Sequence, residues 1–145
     1  MIFEEKPSDF NPWYHTVSVF LSTPGEKVLF LKRGKDKSEG GKFGTPGGKK
    51  EKNETSVRTA VREIFEETGI AINEKELKPF KLVFVKYPDH DFIFEMFESS
   101  LNSVPQVQIN QNEHSEYVWV SLDDALKSLP LVKDMDECIR LFKLR

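Results

Sequence analysis

Glu63, Glu66 and Glu67 are spaced i, i+3 and i+4, so a helix carrying them brings their carboxylates to one side. Like charges this close repel and raise one another's pKa unless a cation sits among them. Oxygen-only donors suit a hard divalent ion such as Mg²⁺ or Mn²⁺, which keeps waters and completes its shell with phosphate oxygens of a substrate. Thr59 and Ser56 continue that side, so nothing apolar closes it off, and Arg62 and Arg58 flank it within reach of Glu66 and Glu54. A solvated acidic helix would show the same spacing. The Gly47-Gly48 pair upstream shifts the weight, because glycines allow close backbone approach and a helix start offers free N–H groups to an anion. The combination suits divalent metal held against a phosphate chain.

A helix over residues 54–68 must position these groups, and the pattern supplies one. At roughly 100° per residue, Val57, Ala60, Val61, Ile64 and Thr68 share a face, with Phe65 at its margin. Asn53 or Thr55 can cap the start, Glu54 in the first turn suits the positive dipole end, and Gly69 fits a left-handed C′ position. Upstream, residues 15–21 and 27–33 read as a strand hairpin around a Pro24-Gly25 turn. Residues 34–41 read as a mobile charged loop, and residues 42–46 as a short extended piece ending in a Gly47-Gly48 turn. Downstream, residues 80–86 and 92–98 read as strands around a turn, 104–109 as a further short strand, and 117–120 as a strand. Ser121 caps the next helix, with Asp124 three residues on as an acidic variant of the capping box, and a last helix covers 132–142. Strands, helix, strands, helices in that order indicate an α/β fold, a mixed sheet with helices on its faces.

A length of 145 residues suits a single domain, 1–145, with a sizeable core, and twelve Phe supply much of its burial. The net charge of −3 argues against a chain that coats nucleic acid, so no stable nucleic-acid complex is expected; it does not bar an anionic substrate, since bound cations invert the field of a carboxylate cluster. The one cysteine, Cys138, leaves neither an intramolecular disulfide nor a cysteine zinc cage, and reads as a partly buried helix residue. No apolar run approaches the roughly 20 residues of a membrane span, and the N-terminus lacks a signal-peptide layout, so the expected location is cytoplasmic with no membrane partner.

Gly48, Glu54, Arg62-Glu63-Ile64, Glu66-Glu67 and Gly69-Ile70 are arranged as Gly, five residues, Glu, seven residues, Arg-Glu-aliphatic, one residue, Glu-Glu, one residue, Gly-aliphatic. In this the sequence resembles the Nudix hydrolases of MutT-like type, and it fills every fixed position of their signature; a chance match at a given start is on the order of one in a billion. Phe30-Leu31-Lys32-Arg33 and the stretch from Gly41 to Lys49 look like the family's strand and Pro-Gly-Gly entry, with Phe43 where a Trp is frequent. The segment from Glu113 to Leu122 resembles its late loop, strand and helix start. The resemblance implies a Nudix-type α/β/α sandwich with the signature helix on one face. It implies Mg²⁺ (or Mn²⁺) as cofactor, held by Glu63, Glu66, Glu67, the Gly48 carbonyl and a late-loop carboxylate, for which Glu113 is chosen and Glu116 is the rival. Glu63 is favoured as the base and Glu67 as the most direct ligand, with Arg62 orienting the cluster through Glu54. Lys49 and Arg33 are candidates to meet phosphate, with Lys32 the weaker alternative to Arg33 because a guanidinium grips phosphate bidentately. Phe43, Phe84, Tyr87, Phe94 and Trp119 are candidates for a base-stacking wall, Phe43 foremost. His114 reads as a surface residue, His15 as a strand residue and His90 as a turn residue.

The implied reaction is hydrolysis of a nucleoside diphosphate linked to another moiety. The short chain without insertions favours (deoxy)nucleoside triphosphates, modified ones included, cleaved to monophosphate and pyrophosphate. ADP-ribose, dinucleoside polyphosphates, nucleotide sugars and 5′-triphosphate RNA ends are the alternatives, the last disfavoured by the charge. Isopentenyl diphosphate isomerisation is disfavoured by the position of Cys138. A non-catalytic nucleotide-sensing domain is the reading from another class, and the complete set of carboxylates weighs against it. The partner is thus a nucleotide, and a homodimer is an expectation that the family carries.

Overall fold

The computed structural model describes residues 1–145. Its central strand is β2 (Pro12–Ser22), whose run from Val17 to Leu21 is buried on both faces, as a near-continuous apolar stretch requires. Alternation sorts its side chains: Val17, Val19 and Leu21 join one apolar cluster, and Phe20 joins the other. On one edge β2 runs parallel to β7 (Asp91–Ser100), which forms a hairpin with β6 (Lys78–Lys86); β1 (Ile2–Phe3) closes that end. On the other edge it pairs antiparallel with β5 (Gly47–Lys49).

β3 (Val28–Arg33) is where the expected hairpin departs from the molecule. β2 and β3 share one register pair, Ser22↔Val28, and then separate. β3 takes β8 (His114–Val120) and β4 (Phe43–Gly44) as partners instead. The result is an eight-stranded mixed sheet with a gap between its halves. Helix α1 (Ser56–Thr68) covers one face through Ala60 and Ile64, packed with Leu29, Leu31 and Phe97. Helices α2 (Leu122–Ser128) and α3 (Met135–Leu144) cover the other through Ala125, Ile139 and Phe142, packed with Phe20 and Phe30. This is the α/β/α sandwich with a mixed sheet that the sequence implied.

Four local readings change. Gly47-Gly48 is strand rather than turn, paired with Ser18 and Val17. α1 starts at Ser56, with Thr55 as N-cap accepting from the Arg58 amide at 3.1 Å, so Glu54 lies outside the first turn. Residues 104–109 form no strand; Val107 is buried and the Gln108 amide donates to the Thr68 carbonyl at the end of α1. α3 starts at Met135 because Asp134 takes a left-handed conformation, φ 67°, through which a right-handed helix does not run.

Candidate active site

The acidic side of α1 faces inward. Thr59 and Glu67 are buried beside Ala60 and Ile64, whereas Phe65 is 58% exposed. Gly69 ends the helix with φ at 74°, and its amide donates to the Phe65 carbonyl. The carboxylates therefore sit at graded depths: Glu67 is 6% exposed, Glu63 is mostly buried, and the Glu66 side chain is 53% exposed.

Both glycines of β5 are required by close approach, with no positive φ involved. A Cβ at position 47 would overlap the Val17 carbonyl on β2, and one at position 48 would overlap the Glu63 carboxylate. The Gly47 amide donates to Glu67 Oε1 at 2.8 Å, and the Gly48 carbonyl accepts from Thr16 Oγ1 at 2.9 Å. Burial pushes the Glu67 carboxyl up to about 8; the Gly47 N–H opposes this, while Glu63 and Glu113 add to it. Burial also raises Glu63, against the pull of Arg62.

Arg62 ties the cluster together. Its Nε donates to Glu54 Oε2 at 2.7 Å and its Nη2 to Glu54 Oε1 at 3.0 Å, a bidentate grip. Its Nη1 reaches Glu63 at 2.9 Å and Glu66 at 3.3 Å, and its Nη2 the Lys49 carbonyl at 3.3 Å. Arg62 and the Thr59 hydroxyl hold the Glu54 carboxyl down at about 2. Arg58, the other expected partner of Glu54, has no ion pair; Arg62 is the cation that pairs with that carboxylate.

Of this cluster Glu67 and the β5 residues Gly47 to Lys49 line a cleft of about 650 Å³ in the gap between β2 and β3, while Glu54, Arg62, Glu63, Glu66 and Glu113 lie outside its lining. Glu67, Gly47, Gly48, Lys49, Arg33 and His114 line its chemical end, and Tyr14, Tyr87, His90, Phe92 and Phe94 its aromatic end. Lys49 Nζ lies 4.3 Å above the Tyr14 ring, and Tyr14 Oη is 3.0 Å from His90 Nε2. Arg33 Nε donates to the Ser38 carbonyl at 2.6 Å, which folds the 34–41 loop against the cleft. Of the candidate stacking residues, Tyr87 and Phe94 line the cleft. Phe43 is 5% exposed and belongs to the core under α2 and α3; neither it, Phe84 nor Trp119 lines the cleft.

Glu113 and Glu116 separate clearly. The ligating atoms of Glu67, Glu113 and His114 lie within 4.8 Å of one another. Glu116 pairs with Lys32 on the sheet face opposite Leu31 and α1, and does not line the cleft. His114, read from sequence as a surface residue, is buried at the cleft wall, where burial lowers its pKa. Tyr14, His90 and Phe92 also line the cleft, beyond the candidates that the sequence offers. Tyr14 stands two and four residues before Thr16 and Ser18 in β2, and a period-2 reading of that strand finds it. The donors here fit a divalent ion: buried Glu67 has no cationic side chain in hydrogen-bond contact, and the ligating atoms of Glu113 and His114 lie within 4.8 Å of its own.

The fold combines a gap in the sheet with a helix that turns the Glu67 carboxyl into it. The NUDIX domain family model matches residues 14–142, and the chain belongs to the Nudix hydrolase family. It is 32% identical over 108 residues to the uncharacterized Nudix hydrolase YvcI of Bacillus subtilis (strain 168), a match covering 73% of this chain and 65% of that relative's length. The crystal structure of the MutT protein from Methanosarcina mazei Go1 superposes with a TM-score of 0.75 at 26% identity, covering 93% of this chain and 98% of that one. The NUDIX domain of Shewanella oneidensis NrtR, solved as a complex with ADP ribose, shares the fold with a TM-score of 0.77 at 23% identity, covering 97% and 93%.

Proposed function

We propose that the protein is a divalent-metal-dependent nucleotide pyrophosphatase that cleaves (deoxy)nucleoside triphosphates, modified ones included, to the monophosphate and pyrophosphate. One observation carries this reading: the desolvated Glu67 carboxylate, bonded to the Gly47 amide, lies at the end of a cleft whose other end is a wall of aromatic rings. The first suits metal and phosphate, and the second suits a base.

Glu67, Glu66, Glu113 and the Gly48 carbonyl would hold the metal, with Glu63 beside them. When bound, divalent cations neutralise phosphate charge and polarise the phosphoryl group. Water attacks phosphorus, its proton passes to the Glu63 carboxylate, and the bond to the leaving pyrophosphate oxygen breaks. Arg62 holds Glu63 in place through the Glu54 anchor, so it acts as a positioning residue. Lys49 and Arg33 meet the phosphate chain from the cleft wall. Tyr14 and Phe92, stacked at 5.0 Å, offer the flat surface for the base. No helix is long and apolar enough to cross a membrane.

A second reading, a linked diphosphate such as ADP-ribose, draws on a side cavity of about 160 Å³ beyond Tyr87 and Phe92, which gives room for another group. Ranking kcat/KM over nucleoside triphosphates, ADP-ribose, dinucleoside polyphosphates and capped RNA with Mg²⁺ and Mn²⁺ tests both. A linked diphosphate preferred over every triphosphate overturns the first. Equal inertness of wild type and Glu67→Gln on all substrates, with ligand still bound, favours a sensing domain.

A further inference from the structure

His114 is a polar side chain that the protein itself does not use. It is 7% exposed, and its Nδ1 is buried with no hydrogen-bond partner. Its Nε2 makes no hydrogen bond either; Glu67 Oε2 is 4.0 Å away. Native interiors rarely leave an imidazole in this condition, because a neutral ring carries one N–H and one lone pair that need partners.

The 4.0 Å separation is informative. It is too long for a hydrogen bond. Two donors each about 2.1 Å from one octahedral ion lie roughly 3.0 Å apart when adjacent and about 4.2 Å apart when opposite. Nε2 and Glu67 Oε2, 4.0 Å apart, stay within the larger of these separations, the most that one ion can bridge. The third group is Glu113, whose ligating oxygen lies within 4.8 Å of both, on an exposed side chain free to turn inward.

The backbone is shaped to the same end. β3 and β8 pair regularly up to Lys32↔Glu116, and a register shift then sets Arg33 opposite His114, passing over Ser115. Such a bulge re-aims the side chain next to it. Ser115, Glu116 and Tyr117 are exposed, while His114 is turned into the cleft wall. The Gly34 amide, donating to the Glu113 carbonyl at 2.9 Å, fixes the segment against β3.

We propose that His114 is a nitrogen ligand of the divalent-metal site, beside Glu67 and Glu113, and that it tunes the site toward Mn²⁺ over Mg²⁺. Mg²⁺ takes oxygen ligands and keeps its waters, whereas Mn²⁺, although also oxygen-seeking, is a first-row transition ion that accepts an imidazole nitrogen more readily. The inference rests on the proposed reading of the cleft as a metal site and adds a cation preference to it.

The test is Mn²⁺ binding to the full chain without substrate. Electron spin-echo modulation of the Mn²⁺-loaded wild type should show coupling to a ¹⁴N nucleus, absent in His114→Gln. Calorimetry should show Mn²⁺ affinity falling about tenfold or more in that variant, with Mg²⁺ affinity changed by no more than about threefold. No nitrogen coupling in the wild type overturns the proposal, a result independent of how the variant folds. Equal losses of Mn²⁺ and Mg²⁺ affinity in a folded His114→Gln do the same. Glu67→Gln in the same titrations separates the two levels: if it loses both ions and hydrolysis while the wild type lacks nitrogen coupling, the His114 assignment alone falls. If it binds ions and turns over substrate like wild type, the reading of the cleft falls with it.

Discussion

The Glu63 carboxylate occupies the space that a side chain at position 48 would need, so Gly48 and Glu63 form a fitted pair across β5 and α1. The neighbouring glycine is fitted to backbone instead: a Cβ at position 47 would overlap the Val17 carbonyl and crowd Ser18 Cα. The two positions are adjacent but answer to different demands, one of the site and one of the sheet.

Gly48→Ala should therefore leave the fold standing and move Glu63. The expected outcome is a Tm close to wild type with kcat reduced about 100-fold or more, as for a displaced catalytic acid–base group. Gly47→Ala should instead cost about 1–3 kcal/mol or more of stability, because backbone cannot step aside as a side chain can. Thermal melts and turnover measured on both variants check the contrast. Similar effects of the two on Tm would refute the assignment of distinct roles.

Arg62→Lys should weaken the cluster despite keeping the charge, since a lysine cannot grip Glu54 bidentately while reaching Glu63. The consequence for acid stability has a definite sign. Glu54 ionises near 4.5 in the unfolded chain and at about 2 in the folded one, so its stabilising effect is complete above pH 4.5 and disappears as pH falls toward 2. The Tm advantage of wild type over Arg62→Lys should be largest above pH 5 and shrink on acidification. An advantage that stays constant from pH 6 to 3 would count against the Arg62–Glu54 pair as its source.

Glu67 runs the other way. Its folded value of about 8 lies above the unfolded 4.5, so its contribution is fully present below pH 4.5 and is lost as pH rises through about 8. Metal-free wild type should lose Tm between pH 5 and 8 relative to Glu67→Gln, which has no carboxylate to ionise. Added Mg²⁺ or Mn²⁺ favours the charged form, so the rise in Tm on adding metal should grow with pH in wild type and be nearly flat in Glu67→Gln. Melts at four pH values with EDTA or metal measure it.

Tyr14→Ala removes both a face of the aromatic wall and the ring on which the Lys49 ammonium rests. Base stacking on an aromatic side chain is worth about 1–3 kcal/mol, so KM should rise roughly 5- to 150-fold with kcat changed much less. Tyr14→Phe, which keeps the ring, should stay within a few-fold of wild type. A fall in kcat at unchanged KM would move Tyr14 out of substrate binding.

What was legible in the sequence was what is locally encoded. The α1 periodicity, its Thr55 cap, the Gly69 terminus and the Ser121 cap on the Asp124 amide all depend on residues within a few positions of one another. What escaped depends on distant chain. Gly47-Gly48 looks like a turn until β2 is beside it, and residues 27–33 look like half of a hairpin until β8 takes their edge. The spacing of Glu63, Glu66 and Glu67 revealed their shared side but not their depths, which β5 and the late loop impose. Phe43 marked the correct segment and the wrong face, because alternation in a two-residue strand has no pattern to read.

The single register pair between β2 and β3 has a further consequence. Because the cleft is a parting of the sheet rather than a hollow in a packed core, its two ends answer to separate sets of neighbours. The rings of Tyr87, His90 and Phe92 make no part of the α1–β5 contact that seats Glu63 and Glu67. Appetite for a new leaving group or base can then change by substitution at one end while the cleaving apparatus stays intact. A lineage built on this frame can diversify its diet without relearning its chemistry.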